Sequence, residues 1–333
     1  MKRIAVIGAG SWGTTLAQVL NDNGHKVALW VRNPEKANKI AQSRYNADYL
    51  PQLKLVDAIE ITSDLTQAVS SAEILLLAVP SHGMADLCCQ LSKITDCADK
   101  VLVSCTKGFE YHSGLRMSEI IKSCFPSATV AVLSGPNHAE EIALRQPSAT
   151  VIACQNEYVA NELQSTFLND YFRPYLSDDI IGVEIAGSLK NVIALTSGIM
   201  FGLGFGDNSQ AALITRGLTE ITRLGLRLGA QQQTFSGLAG VGDLIATCTS
   251  KHSRNRRAGE ALAAGKTLGE ICSGTNMVIE GINATTSAYG LSQRYNVEMP
   301  ITNSIYQILY ENKNPLTALQ ELMRRSGKRE YII

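Results

Sequence analysis

The chain has 333 residues, of which 45% are apolar and 18% charged, values typical of a folded globular protein with room for two domains. Its 30 basic and 30 acidic residues give a formal net charge of zero, which argues against nucleic acid or an anionic membrane as the main partner. Glycines interrupt the N-terminal apolar run, and no stretch reaches the roughly 18 apolar residues of a membrane span. Neither a signal peptide nor integral membrane association is therefore expected.

The first predicted element is a strand over residues 4–7 that leads directly into a glycine-rich turn and then a helix. Gly8, Gly10 and Gly13 have the Gly-x-Gly-x-x-Gly spacing of dinucleotide-binding proteins. The first glycine permits a tight turn, the second lets the backbone approach a pyrophosphate, and the third allows close packing of helix on strand. A nucleotide site at the start of this helix is favoured over a structural turn.

A second strand, residues 26–31, ends at Arg32. In a Rossmann unit this is about where a carboxylate binds the adenosine ribose of NAD. An arginine can pair with a 2′-phosphate, whereas a carboxylate would repel it. NADP(H) is therefore the favoured nucleotide, with NAD(H) as the alternative; a solvated arginine at a strand end is the competing interpretation.

Further strands are predicted over residues 73–79, 101–104, 129–133 and 149–153. Strands that alternate with helical segments predict a doubly wound parallel sheet, in which ligands bind beyond the carboxyl ends of the strands. At those ends lie His82, Lys107, Gly135 and His138. Lys107 is a candidate for binding a phosphate or carbonyl, whereas loop histidines without identifiable partners are more often incidental.

Near residue 180 the strand-like runs stop and long helical patterns begin. The predicted fold is α/β, with an N-terminal Rossmann-type domain over residues 1–180 and an all-α substrate-binding domain over residues 181–333. Helices are predicted over residues 183–200 and 208–228. Lys190 lies on an apolar face of the first helix, where a lysine is uncommon unless its charge has a partner or a task; a lysine at the core's rim is the alternative.

A second glycine cluster, residues 236–242, precedes Asp243 at a predicted helix start. No strand leads into it, so it is not expected to be another nucleotide loop. A carboxylate at this position can cap the helix or contact a substrate, and Thr247 shares its helical face. Ser253 is predicted to cap the next helix, beside three closely spaced arginines, residues 254, 256 and 257, which form either an anion site or a solvated basic face.

The eight cysteines show no metal-ligand spacing, so buried free thiols in a reducing cytoplasm are expected, and no metal site.

A nucleotide fold combined with an isolated lysine and an anion site suggests hydride transfer to or from a phosphorylated or carboxylated carbonyl compound. Two alternatives are a two-domain reductase of keto acids, whose anion site would hold a carboxylate, and a non-catalytic nucleotide sensor, which would not need Lys190.

The sequence resembles the bacterial NAD(P)-dependent glycerol-3-phosphate dehydrogenase family over nearly its whole length. The resemblance rests on the following segments: residues 8–13 (Gly-Ala-Gly-Ser-Trp-Gly), 29–34, 106–108, 134–136, 190–192, 240–244 and 253–255. It differs at Asn137, where such enzymes more often have Ser or Thr. The resemblance implies reversible reduction of dihydroxyacetone phosphate to sn-glycerol 3-phosphate, a precursor of phospholipids. A cytoplasmic enzyme is expected, and the question of a homodimer stays open.

The resemblance also implies roles for individual residues. Lys190 would be the acid/base, with Asp243 and Thr247 orienting it. The dinucleotide would contact Gly8, Gly10, Ser11, Trp12, Gly13, Arg32, Tyr49, Lys107, Ala139, Arg254, Val278 and Glu280. The substrate would contact Lys107, Gly135, Asn137, Lys190, Asp243, Ser253, Arg254 and Asn255.

If Arg32 recognises the 2′-phosphate, Arg32→Asp should raise the KM for NADPH much more than the KM for NADH, because a carboxylate repels the phosphate. Steady-state kinetics with both cofactors measure the ratio. An unchanged ratio would refute this assignment.

Overall fold

We describe a computed structural model of the chain, covering residues 1–111, 113–274, 278–327 and 329–330. These residues divide into two compact units. The first comprises residues 1–106 and 116–180, and the second comprises residues 107–115 and the described part of 181–333. The segment 107–115 thus groups with the second unit, although the sequence analysis assigns it to the first domain.

The first unit is built on strands β1 to β10, with the following bounds: Arg3–Ile7, Lys26–Trp30, Tyr45–Asn46, Leu50–Lys54, Glu60–Thr62, Ile74–Leu77, Val101–Ser104, Thr129–Ser134, Ser148–Ala153 and Phe172–Ser177. Its helices α1 to α7 are Ser11–Asp22, Pro34–Ser43, Leu65–Ser70, Met84–Leu91, Met117–Cys124, Ala139–Ala143 and Glu157–Phe167.

Within the described residues, eight of these strands form one sheet in the order β10-β9-β8-β7-β6-β1-β2-β5, while β3 and β4 form a separate pair. All neighbours in the large sheet are parallel except β8 and β9, which pair antiparallel. Apolar residues of its central strands are buried on both faces, as parallel sheets require. The predicted α/β class is confirmed, with one antiparallel pairing that the sequence analysis did not anticipate.

The second unit contains helices α8 to α16: Ile180–Gly202, Asp207–Arg227, Gln232–Phe235, Asp243–Thr249, Arg254–Ala263, Leu268–Ser273, Glu280–Arg294, Pro300–Tyr310 and Pro315–Met323. A π-helical turn, Leu238–Gly242, leads into α11, so the second glycine cluster is a tight turn before a helix, as predicted. The first two predicted helices are confirmed by α8 and α9, within a few residues at each end.

Helix α8 is the core of the second unit. By length and composition it could cross a membrane, with a mean hydropathy of 1.3 over its most apolar window, but 89% of that window is buried inside the protein. The expectation that no stretch is long and apolar enough is corrected in that respect. Apolar residues of the other helices of this unit pack against its apolar residues, so the hydropathy of α8 is explained by its place in the core.

Candidate active site

The glycine loop of the first unit has the geometry of a pyrophosphate cradle. Gly8 has a φ of +114°, and a Cβ there would lie 2.5 Å from the carbonyl oxygen of Ala78. A Cβ on Gly13 would lie 1.9 Å from the carbonyl oxygen of Gly8, so helix α1 packs directly on the turn. A Cβ on Gly10, by contrast, would meet nothing within 4 Å. The space beside Gly10, at the start of α1, is therefore open, and the start of a helix is a general binding position for phosphate groups.

A buried amide holds this loop in place. The side chain of Asn46, in β3, donates hydrogen bonds of 2.8 Å to the carbonyl oxygen of Ala9 and to the hydroxyl of Thr14. The hydroxyl of Ser11 donates to the carbonyl oxygen of Tyr49 at 2.8 Å. Nothing in the sequence marks Asn46 for this role, because a single asparagine in a two-residue strand carries no periodic signal.

The other candidate nucleotide residues of the first unit lie on several elements. Arg32 is exposed just beyond the end of β2, and Tyr49 is half-buried with Lys36 Nζ 5.4 Å from its ring centroid. The Trp12 ring lies 6.4 Å from that of Phe172. Ala139 is the first residue of α6, and it is buried.

The candidate substrate residue Asn137 uses both ends of its amide within the first unit. Its nitrogen donates to the carbonyl oxygen of Ala149 at 2.9 Å, and its oxygen accepts from the hydroxyl of Thr150 at 2.8 Å. A Cβ on Gly135 would lie 3.0 Å from the Cα of Thr150. These contacts hold the end of β8 against β9. His82 lies in a 3-10 turn, and His138 precedes α6.

In the second unit, Lys190 lies in the interior of α8, where it is only 6% exposed. Its Nζ donates a hydrogen bond to Oδ1 of Asp243 and another, of 2.6 Å, to the hydroxyl of Thr247. Thr247 in turn donates to the backbone carbonyl oxygen of Asp243 at 2.7 Å, one helical turn away. The lysine on an apolar face therefore has a buried ionic partner, as its position predicts.

Lys107 binds the other oxygen of the same carboxylate, with 2.6 Å between its Nζ and Oδ2 of Asp243. Asp243 is 1% exposed and is the first residue of α11, but its side chain does not cap that helix. It joins two ammonium groups instead. All of these residues are candidates from the sequence, but the sharing of one carboxylate by Lys107 and Lys190 is visible only in the structure.

Burial and the neighbouring charges together determine the pKa values of Lys190 and Asp243 in this network. Burial lowers the pKa of Lys190 to about 7; the carboxylate of Asp243 opposes this shift and the charge of Lys107 adds to it. Burial disfavours the charge on Asp243, yet the two ammonium groups hold its pKa below the ordinary value. The arrangement is an ionised carboxylate beside an amine that can gain or lose a proton near neutral pH.

The predicted anion site lies at the start of α12. Ser253 caps this helix, since its hydroxyl accepts from the backbone N–H of Arg256 at 3.2 Å, which confirms the predicted cap. Arg254 is exposed and donates to the carbonyl oxygen of Val278 at 2.9 Å. Glu280 begins α14, two residues beyond Val278.

Asn255 connects this site to the lysine. Its amide nitrogen donates to Oδ1 of Asn191 at 2.8 Å, and its oxygen accepts from the backbone N–H of Gly281 at 2.8 Å. Asn191 directly follows Lys190 in α8, so the anion site and the lysine network are held to adjacent residues. Asn191 falls within the family-matching segment 190–192, but no sequence pattern assigns it this contact, because its partner Asn255 is 64 residues away in the chain.

The three arginines do not act as one cluster. Arg256 pairs with Glu260 at 2.9 Å and lies 4.3 Å from the ring centroid of Phe201. It therefore connects α12 to α8, and the interpretation of all three arginines as a single anion site is wrong for Arg256. The reason is helical spacing, which points residues 254 and 256 to different sides of the helix. An anion site at Arg254 stays a prediction.

A doubly wound sheet with a pyrophosphate-type glycine loop, combined with a helical unit that buries a lysine–carboxylate network, defines an NAD(P)-dependent dehydrogenase. Models of NAD-dependent glycerol-3-phosphate dehydrogenase match both parts of the chain, its N-terminus over residues 3–160 and its C-terminus over residues 179–320. The chain belongs to this family.

Individual relatives of the chain carry the name of this family. The chain is 49% identical, over 98% of both chains, to glycerol-3-phosphate dehydrogenase [NAD(P)+] of Thermoanaerobacter sp. (strain X514). It is 47% identical to the protein of that name from Bacillus subtilis (strain 168), over 99% of this chain and 96% of the relative. The crystal structure of glycerol-3-phosphate dehydrogenase from Coxiella burnetii superposes with a TM-score of 0.94 at 37% identity, over 97% of this chain and 99% of the other.

The shared carboxylate predicts opposite effects on the pKa of Lys190 from its two neighbours. Lys107→Met removes a like charge and should raise the pKa, whereas Asp243→Asn removes the opposite charge and should lower it. NMR titration of ¹³C-methylated lysines measures both, with Lys190→Arg identifying the resonance. Shifts in the same direction would contradict the network.

Proposed function

We propose that this chain catalyses reversible hydride transfer between NAD(P)H and dihydroxyacetone phosphate, which yields sn-glycerol 3-phosphate for phospholipid synthesis. The observation that carries the proposal is the buried Lys190 hydrogen-bonded to Asp243 and Thr247. Family membership and the names of the relatives support it. All eight cysteines are free, which supports a cytoplasmic location.

When bound, the cofactor supplies or accepts the hydride. The proposed contacts to it in the first unit are the glycine loop with Ser11 and Trp12, together with Arg32, Tyr49 and Ala139. Those proposed in the second unit are Lys107, Arg254, Val278 and Glu280. Both NAD(H) and NADP(H) fit the names of the relatives, and we infer a preference for NADP(H) from the exposed guanidinium of Arg32.

Lys190 is the proposed acid and base. As hydride reaches the central carbonyl carbon of dihydroxyacetone phosphate, negative charge develops on the carbonyl oxygen. An ammonium at that oxygen stabilises the charge and then transfers a proton to it, which leaves a neutral amine. In the oxidative direction the amine takes the hydroxyl proton back. A pKa of about 7 makes both forms available near neutral pH.

Asp243 and Thr247 have supporting roles in this proposal. The carboxylate holds both ammonium groups, and Thr247 accepts the second hydrogen bond of Lys190, so the amine keeps one orientation in either protonation state. The proposed role of Lys107, which binds the other oxygen of this carboxylate, is to contact an oxygen of the substrate.

The start of α12 is the proposed site of the substrate's phosphate. Arg254 supplies a guanidinium and the helix supplies the positive end of its dipole, both of which favour a dianion. Ser253 and Asn255 flank it, while Gly135 and Asn137 are the candidate substrate contacts of the first unit. Binding a phosphate remote from the reacting carbon provides energy for positioning the carbonyl.

The deciding experiment is NADPH oxidation with dihydroxyacetone phosphate, compared with 2-keto and 3-keto acids. Lys190→Met should keep NADPH binding but lower kcat by about 10² or more, because it removes the proton donor. Near-normal turnover would contradict the role of Lys190. Faster reaction with a keto acid would favour a keto-acid reductase, and NADPH binding without turnover would favour a sensor.

Arg254→Ala tests the phosphate site. It should raise the KM for dihydroxyacetone phosphate far more than the KM for dihydroxyacetone, which lacks the phosphate. Steady-state kinetics with both compounds give the comparison, and an equal rise in both KM values would count against the assignment.

A further inference from the structure

Helices α8 and α12 cross with their backbones in direct contact. A Cβ on Gly259 of α12 would lie 2.0 Å from the carbonyl oxygen of Leu195 and 2.7 Å from the backbone nitrogen of Ile199, both in α8. A Cβ on Gly198 of α8 would lie 1.9 Å from the carbonyl oxygen of Arg256 in α12. No side-chain rotation relieves these contacts, because the opposing atoms are backbone on both helices.

This crossing lies one helical turn from the pair that joins the two candidate sites. Four residues before Gly259 on α12 is Asn255, and four residues before Leu195 on α8 is Asn191. These two side chains share the 2.8 Å hydrogen bond described above. The two helices therefore lie side by side from the glycine contact to the Asn191–Asn255 pair. We expect a displacement of α12 at Gly259 to move Asn255 as well.

The start of α14 depends on the same spacing. A Cβ on Gly281 would lie 2.7 Å from the carbonyl oxygen of Asn191 and 2.8 Å from Oδ1 of Asn255. The backbone of α14 thus fits into the corner between α8 and α12. Val278, which accepts the hydrogen bond of Arg254, lies just before it.

We propose that Gly259 is a positioning residue that sets the preference of the enzyme for a phosphorylated substrate. It does so by allowing α12 to approach α8 until the start of α12, with Arg254, lies at a fixed distance from Lys190. The inference rests on the proposed function, since it takes Lys190 as the reacting group and Arg254 as the phosphate ligand.

The size of the effect follows from the geometry. Non-bonded heavy atoms make favourable contact near 3.5 Å, so a methyl group on Gly259 must push α12 away from α8 by about 1 Å or more. A misplacement of about 1 Å can cost about 10² in rate. Because Lys190 belongs to α8 and Arg254 to α12, the displacement changes the distance between the reacting group and the phosphate site.

Gly259→Ala tests this, with Gly290→Ala as the matched control. Gly290 lies in α14, is exposed, and a Cβ there would meet nothing within 4 Å. We expect Gly259→Ala to lower kcat/KM for dihydroxyacetone phosphate by about 10² and that for dihydroxyacetone by less than about threefold. Gly290→Ala should match the wild type throughout.

An unchanged ratio of kcat/KM for dihydroxyacetone phosphate to kcat/KM for dihydroxyacetone would overturn the proposal. This holds whether both values fall equally, which indicates general damage to the fold, or neither value changes. If Gly259→Ala does not fold, Gly202→Ala provides a milder displacement, since its Cβ would meet the methyl group of Ala263 at 2.6 Å; the same loss of preference is expected in smaller measure.

Calorimetry with inorganic phosphate separates this proposal from the proposed function. If the wild type binds phosphate but does not reduce dihydroxyacetone phosphate, the proposed function fails, and weaker phosphate binding by Gly259→Ala than by Gly290→Ala still supports the positioning role. Equal phosphate binding by the two variants would refute that role.

Discussion

The second unit is organised around the buried charge of one lysine. Lys190 lies inside the long apolar helix α8, where an isolated ammonium would be strongly disfavoured. Asp243 compensates it, and Lys107 and Thr247 complete the hydrogen bonding of that pair. Removing one partner of such a buried pair typically costs about 3–5 kcal/mol, so the network that serves the proposed chemistry also constrains the fold.

Close backbone packing places the remaining groups around that charge. Glycines at the α8–α12 crossing and at the start of α14 bring three helices together at Asn191. The glycine loop of the first unit uses the same device, since Gly13 lets α1 pack against the carbonyl oxygen of Gly8. In both units, a glycine without a Cβ lets two backbone segments pack in direct contact, which a side chain at that position would prevent.

Sequence patterns predicted the six inner strands of the large sheet, in the order β9-β8-β7-β6-β1-β2, and missed its two edge strands, β5 and β10, as well as the separate β3–β4 pair. β1, β6 and β7 are short apolar runs buried on both faces, which is a strong pattern. β10 contains Arg173 and Pro174, and β5 has only three residues. Edge strands tolerate charge and proline because one side of their backbone has no strand to pair with, and this weakens the pattern.

The sequence by itself determined the glycine loop, the helical second half and the unusual position of Lys190, because each depends on local spacing or on one residue that contradicts its surroundings. Only the tertiary structure decided that Lys107 and Lys190 share Asp243, that Asn191 and Asn46 support their sites, and that Arg256 turns away from Arg254. These pairings join residues far apart in the chain or on opposite sides of one helix. They arise from how the helices pack, which no periodicity in a single segment encodes.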